Sequence, residues 1–306
     1  MDFDELFRNI PSHFGSNLTK KIGNPPTLQT KECFCLWSDL LGFGNIFEQN
    51  NWELDDTDRR QIYNRLKAAH SAVLYYSSLL ERNLFLNDGI AKVFHPRSKF
   101  IDKNNILSIS LFLRSCVELH LSICSSEQKH DLPGCRSVLA FGENIEYLAD
   151  EIRLDDYVYN YTKPKRSCIS DIAKRVGNPI IIYNPKELQM NTAFSKAFLL
   201  EAGGSKSGLS GNRFYVDESV IKAVTRYSLD KGYTPKWEET KDDLFLFIPY
   251  SNDNLQEVVM GFCFDNKTII PRGVRYNTKV YRLKRFYPHD EKTDYFFFDL
   301  DENCRT

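Results

Sequence analysis

The sequence lacks the features that mark several common classes of protein. Its 306 residues carry a formal net charge of -1, so it has no basic surplus of the kind that an extended nucleic-acid surface needs. The segment MDFDELFRNIPSHFG is acidic where a secretory signal is basic, and no stretch approaches the roughly 18 apolar residues of a membrane span. We therefore expect a cytoplasmic protein that has no membrane span and binds no extended nucleic acid.

Cysteine and histidine at metal-ligand spacing are also missing. The eight cysteines include no CxxC pair, since one residue separates Cys33 from Cys35. His70, His95 and His120 are scattered, and no two histidines stand at ligand spacing. We expect buried, reduced thiols, and histidines that are structural or exposed.

The composition is that of an ordinary globular protein, with 42% apolar and 26% charged residues. Helix and strand patterns alternate along it. The turn Asn87-Asp88-Gly89 between short apolar runs predicts a hairpin, and Asp55 or Asp56 offers an N-cap to the helix that follows. The predicted helices cover 55–80, 104–126 and 188–202, the last ending at Gly203-Gly204, and the predicted strands cover 33–41, 135–141, 178–183 and 214–217.

The order strand, helix, hairpin, helix, strand, strand, helix, strand predicts an α/β (α+β) fold with a ferredoxin-like core. We expect an N-terminal arm over 1–30, the main domain over 31–225, and a strand-rich C-terminal extension or subdomain over 226–306. The strands of this tail either extend the main sheet or form a small accessory unit.

Two aspartates stand where the predicted strands end. Asp39 directly precedes a turn that contains Gly42 and Gly44, and Asp88 lies in the hairpin turn. Carboxylates at adjacent strand ends suit Mg²⁺, which takes one or two protein carboxylates together with substrate phosphates. The glycine turn leads towards a helix N-terminus that suits a phosphate chain. An Asp-Gly hairpin turn and a helix-capping Asp are the plain alternatives for these two residues.

Four segments resemble the motifs of the class III nucleotidyl cyclases. Trp37-Ser38-Asp39-Leu40-Leu41-Gly42-Phe43 is similar to the first-strand motif, and Asn87-Asp88-Gly89-Ile90-Ala91 to the hairpin motif. The segments 136–142 and 184–195 are similar to the fourth-strand motif and to the last catalytic motif. The resemblance covers roughly residues 31–220 and leaves the tail unexplained.

The resemblance implies the nucleotidyl cyclase fold and conversion of a nucleoside triphosphate to a 3′,5′-cyclic mononucleotide and pyrophosphate. The product would act on a downstream cyclic-nucleotide effector. The resemblance implies two Mg²⁺ or Mn²⁺ ions at Asp39, Leu40 and Asp88, and a homodimer in which Asn191 and Lys196 come from the partner subunit.

The implied substrate-binding residues are Gly42, Phe43 and Gly44 for the phosphates, with Leu84 and Asn184 at the positions that read the base. Purine cyclases carry Lys and Asp at those two positions. The exchange favours a pyrimidine base, as in the related cyclases of bacterial antiphage defence, and Phe85, Tyr183 and Phe194 are near enough in sequence to stack on it. The position of the transition-state Arg holds Ser195, with Lys196 beside it as a substitute.

Two other functions stay open at this stage. A nucleotidyltransferase of the palm fold, which would make an oligonucleotide signal, would use the same two carboxylates. A degenerate cyclase fold would bind a nucleotide without turnover. The Gly-Ser-rich segment 201–214 lacks the order of a Walker A motif and is expected to be a flexible connection, with Lys206 and Arg213 as candidate triphosphate contacts.

Overall fold

The computed structural model describes residues 27–78, 80–96, 105–148, 187–188, 190–249, 258–288 and 297–301. The chain divides into two compact units. One consists of Lys31–Asn144 with Asn191–Thr306, and the other of Met1–Thr30 with Ile145–Met190. Residues 1–26 of the predicted arm, the predicted strand over 178–183, Tyr183 and Asn184 lie outside the described residues.

The strands and helices are numbered in chain order within the described residues. The strands are β1 (Thr27–Leu40), β2 (Glu81–Leu86), β3 (Gly89–Phe94), β4 (Cys135–Leu148), β5 (Phe214–Asp217), β6 (Lys236–Glu239), β7 (Asp243–Pro249), β8 (Val258–Asp265), β9 (Val280–Pro288) and β10 (Phe298–Asp299). The helices are α1 (Asn45–Gln49), α2 (Asp56–Tyr75), α3 (Asn105–Gln128), α4 (Thr192–Ser207) and α5 (Glu218–Leu229).

All ten of these strands belong to one sheet. Its first four neighbours are β2, β3, β1 and β4, which is the strand order of a ferredoxin-like βαββαβ core. Strand β3 pairs antiparallel with both β1 and β2, and β5 adds to β4 in parallel. The α+β, ferredoxin-like prediction is thereby confirmed. Strands β9, β8, β7 and β6 continue the sheet beyond β5, so the tail extends the main sheet.

Strand β1 separates two environments because its side chains alternate. Phe34, Leu36 and Leu40 lie in the main hydrophobic core with residues of α2, α3 and α5. The ring of Phe34, for example, lies 6.3 Å from that of Phe112 in α3. Residues of the opposite parity, Trp37 among them, face α4 on the other side of the sheet.

Helix α2 begins at the predicted N-cap. The Asp55 carboxylate accepts hydrogen bonds from the backbone N–H groups of Thr57 (2.7 Å) and Asp58 (2.8 Å), and the Asp58 carboxylate accepts one from the N–H of Asp55. This reciprocal capping box satisfies N–H groups that have no partner inside the helix. The helix ends at Tyr75, five residues earlier than the sequence pattern predicts.

Helix α3 corrects one expectation from the sequence. The stretch Ile106–Gln128 is long and apolar enough to cross a membrane by length and composition, although no such run was expected. More than half of it is buried within the protein, as in the core helix of a soluble domain. Its residues Ile109, Phe112 and Val117 belong to the main core.

Two further helices differ from their predicted form. The glycine pair at 203–204 was expected to end α4, but Gly204 adopts φ +48° as a kink and the helix continues to Ser207, where Gly208 caps it at φ +99°. The Gly-Ser-rich segment is therefore helical over half its length rather than a flexible connection. Helix α5 was not predicted at all, although Val220, Val224 and Tyr227 recur at helical spacing and are buried.

Candidate active site

Asp39 and Asp88 lie at the same end of the sheet. In the antiparallel register of β1 and β3, Asp39 stands opposite Gly89, the residue after Asp88. Asn87 and Asp88 form the two-residue hairpin loop between β2 and β3, with Asn87 in the left-handed region at φ +59°. The Asp88 carboxylate is close enough to raise the pKa of Asp39. The hairpin is confirmed, and the structure brings together the two residues predicted to bind metal.

Gly89 is required here by the ring of Trp37. A Cβ atom at position 89 would lie 2.1 Å from Cη2 of Trp37, which is far inside van der Waals contact. The indole in turn meets the rings of Phe194 and Phe198 edge to face, with centroid separations of 5.6 and 5.5 Å. Trp37, Phe194 and Phe198 are together called the aromatic group. They form the packed surface beside Asp39 and Asp88 on this side of the sheet.

The Asp39 carboxyl lies in a half-buried acidic setting. Its pKa is raised to about 7, mainly by burial and also by the nearby carboxylates of Glu201 and Asp88, while Arg136 partly offsets them. The Arg136 guanidinium is paired with Glu201 at 2.7 Å. The indole N–H of Trp37 donates to the same carboxylate at 3.4 Å. Glu201 was not singled out from the sequence, because α4 is remote in sequence and no spacing links it to β1.

The donor set of this acidic cluster, Asp39, Asp88 and Glu201, fits a hard divalent cation. Glu201 is paired with Arg136, so Asp39 and Asp88 are the carboxylates left to bind an ion, and Mg²⁺ and Mn²⁺ prefer oxygen ligands. The side chain of Leu40 is buried, so this residue can offer only its backbone carbonyl, which also accepts the N–H of Phe43 at 3.3 Å. The residues present are thus compatible with the metal site that the sequence predicts.

Two contacts hold the turn after β1 in place: the buried side chain of Phe43 and a hydrogen bond from Arg65. Gly42 has φ +65°, and the Phe43 side chain between the two exposed glycines is buried. The carbonyl of Leu41 accepts a hydrogen bond from Arg65 at 3.0 Å, and Arg65 forms a buried ion pair with Glu127 at 2.6 Å. Helix α1, which starts after Gly44, has only five residues.

Leu84 faces the same side of the sheet as the aromatic group. It pairs with Ala91, which pairs with Trp37 on the other flank of β3, and its side chain is buried. Phe85 has the opposite parity, and its ring contacts His70 of α2 at 3.9 Å. Of the two described aromatic candidates for stacking on a base, Phe194 therefore lies on this side, whereas Phe85 points away from it.

Asn191 and Lys196 contact their own chain. Asn191 is the buried N-cap of α4, not a residue within a helix, and its side-chain oxygen accepts hydrogen bonds from the N–H of Phe194 at 2.9 Å and the thiol of Cys33 at 3.4 Å. The Lys196 ammonium donates to the carbonyl of Phe141 at 2.9 Å. Their predicted roles across a dimer interface stay predictions.

Of the two cations in the Gly-Ser-rich segment, Arg213 lies 3.7 Å from the Asp301 carboxylate. Lys206 is exposed in the last turn of α4. Their contact with a triphosphate also stays a prediction.

No family model matches the sequence, and no curated protein matches it. Similar solved structures include the guanylyl cyclase Cya2, with TM-score 0.42, 13% identity, and coverage of 86% of this chain and 95% of that one. The adenylyl cyclase CyaB from P. aeruginosa matches with TM-score 0.38 and 10% identity, over 88% of this chain and 99% of the other.

A third similar structure is the dimeric guanylyl cyclase domain of the RhoGC fusion protein from the aquatic fungus Blastocladiella emersonii. It matches with TM-score 0.34 and 7% identity over 84% of this chain and 97% of that domain. The scores are below 0.5 in each case, so the residues of the chain itself have to support any function.

Proposed function

We propose that the protein is a nucleotidyl cyclase that converts a nucleoside triphosphate to a 3′,5′-cyclic mononucleotide and pyrophosphate. The observation that carries the proposal is the pairing of β1 with β3, which sets Asp39 against the Asp88 hairpin beside the Gly42–Gly44 turn. The pKa of Asp39 is raised to about 7 by burial and by neighbouring carboxylates, so this cluster favours a cation. Oxygen ligands of this kind, beside a turn open to phosphates, suit a metal–triphosphate complex.

In this proposal Asp39, Asp88 and the carbonyl of Leu40 hold two Mg²⁺ or Mn²⁺ ions. When bound, such ions lower the pKa of an attacking hydroxyl and neutralise the phosphate charge. Glu201 keeps its ion pair with Arg136, whose positive charge partly offsets the carboxylates around Asp39. Gly42, Phe43 and Gly44 lie next to the phosphates, and their backbone can approach closely because the two glycines have no side chain.

We further propose that the base is a pyrimidine. Leu84 supplies an apolar wall where a purine reader would place an ammonium, and Phe194 lies on the same side of the sheet. Asn184 would read the base edge, since an amide can both donate and accept. UTP or CTP is then used at least as well as ATP.

The enzyme would act as a cytoplasmic homodimer. Apolar side chains are exposed on the side of the sheet that carries the site, with Leu86 40%, Phe198 42% and Leu199 50% accessible. A second copy of the chain would cover them and complete the nucleotide site with Asn191 and Lys196. A particle that stays monomeric in light scattering at tens of micromolar, with and without nucleotide, would count against this arrangement.

The decisive experiment is incubation with each of the four ribonucleoside triphosphates and Mn²⁺, followed by mass spectrometry of the products. A cyclic mononucleotide supports the proposal, whereas linked nucleotides identify a palm-type nucleotidyltransferase. The variants Asp39→Asn and Asp88→Asn should abolish product. Asp242→Asn is the matched control, because Asp242 is also a turn aspartate, exposed between β6 and β7 at the other edge of the sheet.

A second candidate function is nucleotide binding without turnover. It is favoured by the burial of Asn191, whose side chain caps its own helix, and by the contact of Lys196 with Phe141. Calorimetry that shows Mn²⁺-dependent nucleotide binding in the absence of any product would support this candidate over the cyclase.

A further inference from the structure

A second cluster of metal-binding side chains lies on the opposite side of the sheet from the aspartate pair. His120 and Cys124 are four residues apart on α3 and therefore share one face of that helix. Cys135 is the first residue of β4. One ligand atom from each of the three residues lies within 4.8 Å of the others, and all three side chains are buried.

Two of the three distances between the ligand atoms match those around a tetrahedral ion. The Cys124 and Cys135 sulfurs are 3.8 Å apart. Two thiolates that each lie ~2.3 Å from a tetrahedral zinc are about 3.8 Å from one another. The Nε2 atom of His120 is 3.7 Å from the Cys124 sulfur, and the corresponding nitrogen–sulfur edge is about 3.6 Å.

The other imidazole nitrogen is held by a neighbour. Nδ1 of His120 lies 2.8 Å from the Ser137 hydroxyl, which in turn is 2.7 Å from that of Ser38. Histidines that bind metals usually donate their second ring N–H to such a partner, which fixes the tautomer and the ring orientation. With Nδ1–H directed at Ser137, the lone pair of Nε2 is left for a metal on the side of the Cys124 sulfur. The Cys135 sulfur lies 3.4 Å from Nδ1, so its side chain has to turn towards Nε2 when an ion binds.

The charge of the cluster also balances. Two thiolates and a neutral imidazole around a divalent ion sum to zero, so the complex can be buried without the cost of an unpaired charge. Binding releases the two thiol protons to solvent. Hard ions such as Mg²⁺ are poor ligand partners for sulfur, whereas zinc binds thiolate and imidazole together.

We propose that His120, Cys124 and Cys135 bind one zinc ion. Three protein ligands leave one position for water. The described cysteines are free and buried, as the sequence predicts, and the proposal adds a metal to two of them. The zinc proposal does not depend on the nucleotide site. Its ligands are sulfur and nitrogen atoms, and they lie on the side of the sheet that α3 covers.

The ion would join the end of α3 to the start of β4. The chain already passes close to the site, since a Cβ at Gly134 would lie 3.2 Å from the Cys124 sulfur. The carbonyl of Gly134 accepts the N–H of Leu41 at 2.9 Å, in the turn beside Asp39. A zinc ion here would therefore stiffen the support of that turn without contacting a nucleotide.

The test begins with the metal content of the full-length protein, purified without chelators and measured by inductively coupled plasma mass spectrometry. We expect about one zinc per chain. After zinc removal under reducing conditions, Co²⁺ should give a thiolate-to-metal charge-transfer absorption. The acidic cluster contains no sulfur and cannot produce this band. Failure of the cyclase assay leaves this readout unaffected.

Matched variants separate ligation from packing. Cys124→Ser should lose the zinc and the charge-transfer band, whereas Cys116→Ser, a buried cysteine two turns earlier on the same helix, should keep both. If Cys124→Ser does not fold, the wild-type spectrum still decides. The proposal is overturned by reduced, folded protein that has neither zinc nor the band, by equal zinc loss in Cys116→Ser, or by a Cys124–Cys135 disulfide in the native protein.

Discussion

The two faces of strand β1 differ in what their side chains contact. Phe34, Leu36 and Leu40 pack among apolar residues of three helices, and their neighbours are rings and aliphatic chains. On the other face, Trp37 and Asp39 meet α4, the hairpin glycine and an ion pair. The first face stabilises the fold by burial of apolar area.

The second face of β1 contains a group that destabilises the folded protein when it is ionised. A carboxyl group whose pKa is raised to about 7 is destabilised in its charged form, mainly by burial. Shifts of this kind cluster at functional sites. The comparison thus predicts that substitutions on the core face remove stability, whereas removal of the Asp39 charge increases it.

The largest effect is expected for Leu36→Ala on the core face. The side chain is completely buried, so its truncation removes apolar contacts and leaves a cavity, at a cost of about 2–5 kcal/mol. Urea unfolding followed by circular dichroism measures this cost. Leu74→Ala is the control, since Leu74 is largely exposed on α2 and its loss should change the free energy of unfolding by less than about 0.5 kcal/mol. Equal losses of stability for the two substitutions would show that Leu36 is not part of the hydrophobic core.

Gly89→Ala should have the next largest effect. Its Cβ would collide with the Trp37 ring, and overpacking of this kind costs about 1–3 kcal/mol. The double variant Gly89→Ala/Trp37→Leu should recover part of this loss, because a smaller side chain makes room for the methyl group. Absence of any coupling between the two substitutions in a double-mutant cycle would contradict the close contact.

Asp39→Asn should stabilise the metal-free protein in a pH-dependent way. The folded-state pKa of about 7 exceeds the usual 3.8, so the stability that the protonated Asp39 provides is lost as the pH rises from about 4 through 7. The variant avoids this loss. The raised pKa allows at most about 4 kcal/mol, and solvent screening reduces the expected gain at pH 8 to the order of 2 kcal/mol.

Urea unfolding at pH 5 and pH 8, with a chelator present, measures this gain, which should be smaller at pH 5. Mn²⁺ should reverse the order by stabilising the wild type alone. A variant that is less stable than the wild type at pH 8 without metal would mean that Asp39 is a structural cap.

Much of the core could be predicted from the sequence because its signals are local. The N-cap at Asp55 or Asp56, the hairpin at Asn87-Asp88-Gly89 and the apolar strand over 33–41 each depend on residues within a few positions of one another. Together they were sufficient to predict the ferredoxin-like order and the proximity of Asp39 to the hairpin.

What the sequence did not reveal depends on contacts between remote segments. Glu201 approaches Asp39 only because α4 crosses the sheet, and Cys135 approaches His120 only because β4 pairs beside β1. Local patterns also misplaced the end of α4, since the ion pair of Arg136 with Glu201 and the capping by Gly208 outweigh the glycine pair at 203–204.

Asp88→Asn tests the central claim, that Asp39 and Asp88 jointly bind a divalent metal for nucleotide chemistry. Asp88 is partly exposed in a hairpin loop, so the substitution should change the free energy of unfolding by less than about 0.5 kcal/mol. Mn²⁺ binding in the presence of a nucleoside triphosphate, measured by electron paramagnetic resonance of free Mn²⁺, should fall at least about tenfold, equivalent to ~1.4 kcal/mol. Asp242→Asn should bind like the wild type. Unchanged Mn²⁺ affinity in a folded Asp88→Asn variant would contradict the account.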